Sequence, residues 1–353
     1  MRLVLIGDGE SPHLLKWARA LAAAQVELWA VSSRGFLPGF DAVVPGARRL
    51  ELATHPRFEG GNLALLRTLP RLARWLRQVR PDWVHAHYLT SHGTLAWLAM
   101  RGLGVPGRLV GSAWGSDILV TPQRGRIWRW ITTRVLRACA LTTSDSRHMA
   151  QAMRDLGAGE VMTFPFGLEA MPPRADAKDD SLFFANRGLE AIYAPQRVLE
   201  QFAALAGDGG RLVVANDGSL RGDLERRAAA LGLADRVSFV GRLDAATQAV
   251  WYGRARCYLS LPLSDSVSVS VLEAMAHGCV PILSDLPANR ELVCDRDKGL
   301  IVPEGALLTA ADLAAFLPRA EAAAAANRAW VQEHALFAPC VQRFVARLQE
   351  IAQ

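Results

Sequence analysis

Asp265 and Glu273, two acids with seven residues between them, lie in the run SDSVSVSVLEAMAHG, the stretch of this chain densest in chemistry. An apolar run, Cys257 to Leu263, precedes it and has the length and character of a buried strand. Gly278 stands where a C′ glycine ends a helix, and Val280 to Leu283 reads as another strand. The unit is thus strand, short polar loop, helix, glycine stop and strand, half of a parallel α/β layer. In such layers ligands bind beyond the carboxyl ends of the strands, where loops run into helix N-termini. The amides opening at Ser268 to Ser270, with the helix dipole behind them, suit a phosphate. Glu273, on the helix's first turn or so, is a poor neighbour for that phosphate and a good acceptor for hydroxyls such as a ribose pair. Asp265, in the loop with Ser266, Val267 and Ser268, is placed to reach another polyhydroxylated group. Two acids around one anion site read as a nucleotide-sugar pocket. The bland alternative is an ordinary buried strand and helix carrying incidental acids.

Asp265, Glu273 and the run LEAMAHGCVPILSDLPANRELV resemble the acid-x7-Glu motif of family-4 retaining glycosyltransferases, the glycosyl transferases of group 1, which have the GT-B fold. The resemblance implies that Glu273 holds the nucleotide ribose, that Asp265 faces the donor sugar, and that Ser266, Val267, Ser268 and Val269 line the donor. The first acid of that motif is more often Glu, so Asp265 is one methylene shorter. The implied fold is α/β: two Rossmann-like doubly wound domains facing across a cleft, with a C-terminal helix crossing back to the N-domain. The implied reaction moves a hexosyl-type unit from a nucleotide diphosphate sugar to a glycan or lipid-linked acceptor with retention at the anomeric carbon. It uses no metal and no cofactor, and the leaving phosphate itself assists deprotonation of the acceptor.

Arg187, at the end of the strand-like FFANR, has the forked geometry that suits a diphosphate. Related transferases place an Arg there and usually a Lys five residues later, where this chain has Ile192. Arg242 follows SFVG in a loop that lies near the base in the family; a solvent-facing side chain is the alternative. In the N-terminal half, strand alternation puts His85 and His87 of DWVHAHY on one side. No third ligand with supporting spacing accompanies them, so a metal is not expected. Similar proteins carry His-x-His at the inter-domain cleft, which makes His87 a catalytic candidate beside Asp265 and Arg187. Trp114 stands where the family often has a His thought to touch the donor sugar. Either that role passes to His87 or Trp114 stacks on a sugar face. Asp117 binds acceptor hydroxyls or caps the following segment. The loop GDGES lacks the full dinucleotide fingerprint. In the family it approaches acceptor and donor phosphate, which makes Gly9 a donor-side candidate; a tight turn explains its glycines equally well. His13, on the first turn of the next helix, is an acceptor candidate or a packing residue.

The elements that hold these residues alternate strand and helix from Arg2 onward, and 353 residues favour two domains. The expected division is an acceptor-side domain over 1–168, a linker over 169–180 rich in proline and then charge, a nucleotide-sugar domain over 181–325, and closing helices over 326–353. Thr68 to Arg80 reads as an amphipathic helix with Thr68 as N-cap, its leucines on one face and Arg71 and Arg74 opposite. A second basic, aromatic cluster, RGRIWRWITTRVLR, spans Arg124 to Arg137.

Half the residues are hydrophobic and the net charge is +6, carried overwhelmingly by Arg. Anionic partners follow: a nucleotide diphosphate, an anionic lipid surface contacted peripherally, or nucleic acid. Nucleic acid is the weakest of these, because no recognition module is present. Five scattered Cys without a CxxC argue for reduced core thiols in cytosol. The start MRLVLIGDGE lacks the features of a signal peptide, and no apolar stretch is long enough to span a membrane. A cytoplasmic protein is expected, working at the inner face of the membrane. Two readings compete: a GT-B nucleotide-sugar epimerase, and a non-catalytic GT-B subunit that stabilises a partner transferase, motivated by Ile192 and Trp114.

Overall fold

The computed structural model describes residues 1–54, 63–174, 177–207, 209–293 and 297–353. Cys294 and two linker positions, 175 and 176, lie outside the described residues. The remaining four cysteines are buried free thiols. The chain forms two units, Met1–Pro165 with Phe337–Gln353, and Phe166–Leu336. The proline-rich stretch read as a linker therefore starts inside the second unit, and the helix Ala320–His334 stays with it. Of the closing helices, Phe337–Ala352 is the one that joins the first unit.

The first unit is built on a seven-stranded sheet in which every described pairing is parallel. Its strands are β1 (Arg2–Gly7), β2 (Glu27–Ser32), β3 (Arg49–Glu51), β4 (Trp83–His87), β5 (Arg108–Ser112), β6 (Cys139–Ser144) and β7 (Val161–Thr163), in the order β3-β2-β1-β4-β5-β6-β7. Leu3, Val4, Leu5 and Ile6 of β1 are fully buried, as a strand with helices on both faces requires. The following helix, Pro12–Ala23, starts with Pro12 after the cap Ser11, whose side chain accepts from the His13 amide over 3.3 Å. It buries Trp17 edge-on against Phe337 and Phe344, at 5.0 and 5.4 Å, so the last helix of the chain completes this core.

Leu69–Val79 follows its period: Leu72, Ala73, Leu76 and Val79 are buried, while Arg71, Arg74 and Arg77 are exposed. Thr68 precedes that helix but does not cap it. Its hydroxyl turns back 2.7 Å to the Leu65 carbonyl of the short helix Leu63–Arg67. The helix Arg147–Asp155 is capped by Ser146, whose side chain accepts from the Met149 amide over 3.1 Å.

The second unit carries β8 (Asp179–Ala185), β9 (Arg211–Ala215), β10 (Val237–Gly241), β11 (Ala255–Ser260), β12 (Val280–Ser284) and β13 (Leu300–Val302), all parallel, in the order β10-β9-β8-β11-β12-β13. Successive residues of its strands feed two cores. Phe183, Cys257 and Leu259 face one, and Phe184, Tyr258 and Leu283 face the other. In both sheets the strand order reverses beside the first strand, at β1/β4 and at β8/β11. Such reversals open a crevice at the strands' carboxyl ends, which is where a doubly wound sheet binds its ligand.

Candidate active site

Arg187 follows β8 by two residues, and Asp265 lies in the loop after β11, so the switch point of the second sheet brings them together. Arg187 Nη2 is 2.6 Å from Asp265 Oδ2, and Nη1 donates to Ser268 Oγ. The guanidinium lies 4.5 Å over the Tyr193 ring. Tyr193 ends a short 3-10 turn, Ala191–Tyr193, which the Leu263 amide holds by bonding the Ile192 carbonyl over 3.0 Å. Burial works against the Arg187 charge, but Asp265 and the neighbouring tyrosines outweigh it and keep the group above its ordinary range. For Asp265 burial is the largest influence and pushes the carboxyl upward; Arg187 and the Ser266 amide, 3.0 Å from Oδ1, pull the other way.

Ser268 is the cap residue of the helix Val269–Ala276, and its hydroxyl serves Arg187 instead of a helix amide. The Val271 and Leu272 amides close on the Ser268 carbonyl at 3.1 and 3.2 Å, while Val269 and Ser270 supply the first-turn amides outside that ladder. Glu273 is the fifth residue of the helix, in its second turn, so the first turn carries no acid to repel an anion. Val267 lines the hydrophobic core with Leu272 and Met275, so only its backbone is available to a ligand, and Ser266 is likewise buried. Arg242 is exposed.

Behind this loop runs a buried polar chain that the sequence did not reveal. Tyr258 donates its hydroxyl to Asn186 Oδ1 over 2.7 Å, and Asn186 Nδ2 donates to the Tyr252 hydroxyl over 2.8 Å. Tyr252 Oη in turn lies 3.1 Å from Glu273 Oε2. Burial holds the Tyr252 hydroxyl well above its ordinary range, so it stays a neutral donor. Asn186 was recoverable as the neighbour of Arg187 at a strand end. Tyr252 sits mid-helix in VWYGR with no local signal.

In the first unit, the carboxyl ends of β4 and β5 assemble a second cluster. His85 and His87 do share a side, with ring centroids 4.6 Å apart. Trp114 Nε1 donates to His87 Nδ1 over 3.0 Å, which places the His87 proton on Nε2, an atom with no hydrogen-bond partner among the described residues. Burial drives His87 well below the usual imidazole range, so the ring is neutral. Trp114 also stacks on Tyr88, 5.7 Å away at 20°, and lies 5.0 Å from His13. Tyr88 reaches that position with a φ of 59°, in the left-handed region that non-glycine residues seldom occupy.

Asp117 is committed to the backbone. Its two oxygens accept from the Leu89 and Trp114 amides at 2.8 and 2.9 Å, so it shapes the loops around His87 and presents no unoccupied carboxylate to an acceptor. Burial raises it to about 6 against the pull of those amides. At Gly9 the close approach is internal. Its amide bonds Ser32 Oγ over 2.8 Å, and a Cβ there would meet the Gly35 carbonyl oxygen at 2.5 Å. Among the described residues no group of three or more His, Cys, Asp or Glu is arranged to hold a metal ion.

Residues 8–167 match the family described as a glycosyl transferase 4-like domain, and residues 172–329 match the glycosyl transferases group 1. The chain is 35% identical over 101 residues to a phosphatidyl-myo-inositol mannosyltransferase of Mycobacterium leprae, covering 28% of this chain and 27% of that one. It is 29% identical over 204 residues to the GDP-mannose:cellobiosyl-diphosphopolyprenol alpha-mannosyltransferase of Komagataeibacter xylinus, covering 54% of this chain and 52% of that one. The matched region thus spans about half or less of these relatives' own length. Among solved structures, Anabaena HepE in complex with UDP-glucose superposes with a TM-score of 0.78 at 13% identity over 99% of this chain and 100% of that one. The outer-core galactosyltransferase WaaB gives a TM-score of 0.72 at 14% identity, covering 98% of this chain and 99% of that one. With one family model over each unit and this fold, the chain belongs to the group 1 glycosyltransferases of the GT-B fold.

Proposed function

We propose that this protein is a retaining glycosyltransferase. It moves a hexosyl-type unit from a nucleotide diphosphate sugar to a glycan or lipid-linked acceptor in cell-envelope polysaccharide or glycoconjugate synthesis, on the cytoplasmic side. The observation that carries this reading is the Arg187 guanidinium, held between Asp265 and Ser268 at the head of the helix bearing Glu273. A diphosphate competes with Asp265 for that guanidinium through paired, charge-assisted hydrogen bonds. Once displaced, Asp265 turns to the sugar's hydroxyls, and Glu273, steadied by Tyr252, takes the ribose. As the glycosidic bond breaks, charge develops on the departing diphosphate. Arg187 and the first-turn amides stabilise it without a metal. The leaving phosphate accepts the acceptor's proton on the same face, so no enzymic nucleophile is required. Neutral, buried His87 acts through its Nδ1, which holds the Trp114 indole in place beside Tyr88 and His13.

The relatives' names support lipid-linked acceptors: one acts on a phosphatidyl-myo-inositol and another on a diphosphopolyprenol. Among the described residues no helix is long and apolar enough to cross a membrane. The helix Arg126–Ala138 instead exposes Ile127 and Trp130, at 74% and 53%, among arginines, a surface suited to an anionic bilayer.

The test is turnover: a panel of labelled nucleotide sugars is offered with and without lipid-linked acceptors, in chelator, and the anomeric configuration of the product is read by NMR. Transfer with retention supports the reading, and an inverted product refutes it. The substitution of Ile192 for the family's second cation favours one competitor, a donor-binding subunit without turnover. Binding of donor with no transfer to any acceptor would select it.

A further inference from the structure

Arg101, Arg108 and Arg137 surround a recess of about 490 Å³ in the first unit, walled by Trp97, Met100 and Leu109. The volume falls in the range of small-molecule sites. Arg108 opens β5, and Cys139, which also lines the recess, opens β6. The recess therefore lies at the amino ends of the strands, at the opposite edge of the sheet from His87 and Trp114. None of its described lining residues is acidic.

Its surroundings orient a ligand. An adjoining recess shares Gly107 and Arg108 and contains Asp82, whose Oδ2 accepts from the Arg2 amide over 2.7 Å. Arg108 is partly committed, lying 5.6 Å over the Trp83 ring and donating to the Ile351 carbonyl. Exposed Arg101 and Arg137 are the principal charges. On the other side Trp97 meets Trp130 edge-on at 6.4 Å, and the Arg134 guanidinium lies 5.5 Å over the Trp130 ring. An apolar wall thus runs from the arginines out to exposed Trp130 and Ile127. An anionic head and an apolar tail, in that order, are what such a surface complements.

We propose that this recess binds the phosphate headgroup of one anionic glycerophospholipid, with its acyl chains lying along Trp97, Met100 and Trp130. The inference rests on the membrane-surface reading above and deepens it: a discrete lipid site seats the first unit, where a diffuse basic face alone would not.

The full-length protein is co-sedimented with phosphatidylcholine vesicles and with vesicles containing phosphatidylglycerol. We expect binding to the second kind only. Arg101→Gln/Arg137→Gln loses affinity roughly thirtyfold, at about fivefold per basic residue near an anionic surface. Trp130→Ala weakens binding in high salt, where the charge contribution is screened. Arg71→Gln/Arg74→Gln removes the same charge from another exposed helix and changes affinity less than threefold if the site is local. Equal losses from the two double variants overturn the lipid site and leave membrane binding standing. Absence of wild-type binding refutes both. Release of the protein by inorganic phosphate as readily as by phosphatidylglycerol vesicles makes the recess a free-anion site and also overturns the proposal. Unchanged circular dichroism in every variant excludes misfolding as the cause.

Discussion

One hydroxyl joins Tyr252 to Glu273: it lies 3.1 Å from Glu273 Oε2 while accepting the Asn186 amide over 2.8 Å. Asn186 is the residue before Arg187, so a buried chain of side chains ties the acid on the helix to the strand end whose backbone carries the cation. Tyr252→Phe removes that hydroxyl and leaves the Asn186 amide one acceptor short, at a cost of about 1–3 kcal/mol of stability. Donor KM is expected to rise more than kcat falls, because the lost contact orients Glu273 in ground state and transition state alike. Steady-state kinetics beside a thermal melt check this. A variant melting lower with unaltered KM would confine Tyr252 to the core.

Arg187→Lys keeps the charge and loses the fork. One ammonium does not serve Asp265 and Ser268 in the geometry that Nη1 and Nη2 do. Donor affinity is expected to fall roughly thirtyfold, the equivalent of about 2 kcal/mol for a charge-assisted hydrogen bond. Titration calorimetry with a nucleoside diphosphate measures it, and parent-like affinity would place the diphosphate elsewhere.

The strands β1, β11 and β12 were legible in the sequence because each is a largely apolar run stopped by polar or glycine residues, whereas the three-residue strands β3, β7 and β13 are too short to carry such a pattern. The acid-x7-Glu spacing likewise marks the loop and helix of the candidate site. Long-range partnerships were not legible. Nothing local in FFANR or VWYGR says that Asn186 and Tyr252 meet, since that contact depends on how a helix packs across β8. Asp117 has one composition whether it meets a ligand or the backbone, and burial decides between them. Thr68 has a cap's residue type and position, but the preceding turn offers its hydroxyl the Leu65 carbonyl, a partner the local sequence does not announce.

Acid should weaken the first unit. Burial lowers His85 to about 3 and His92 to about 4, and holds His87 lower than its ordinary value. A histidine depressed in the folded state binds its proton first in the unfolded chain, so stability is lost as pH falls below about 6.5. Asp117, raised to about 6, acts in the opposite sense: the folded state binds its proton more readily, so stability falls as pH rises from about 4 to 6. Three histidines against one carboxyl leave a net loss on acidification. Urea midpoints at neutral pH and at about pH 5 should differ in that direction, and the difference should shrink in His85→Asn. Equal midpoints would mean these rings are solvated.

Gly9→Ala tests whether that glycine serves packing. The added Cβ meets the Gly35 carbonyl oxygen at 2.5 Å, a backbone atom with little room to retreat. Overpacking of this kind costs about 1–3 kcal/mol. The melting temperature should drop while donor affinity stays as in the parent. A stable variant with weakened donor binding would move Gly9 from the fold to the ligand.

The most direct test of the account is a thermal-shift series with UDP-, GDP-, ADP-, CDP- and dTDP-sugars on the parent and on Glu273→Ala. At least one donor should stabilise the parent, and that stabilisation should largely vanish in the variant while its ligand-free melt stays close. A Glu273→Ala protein that responds to the same donor as fully as the parent would contradict the placement of the ribose, and with it the donor site at the head of this helix.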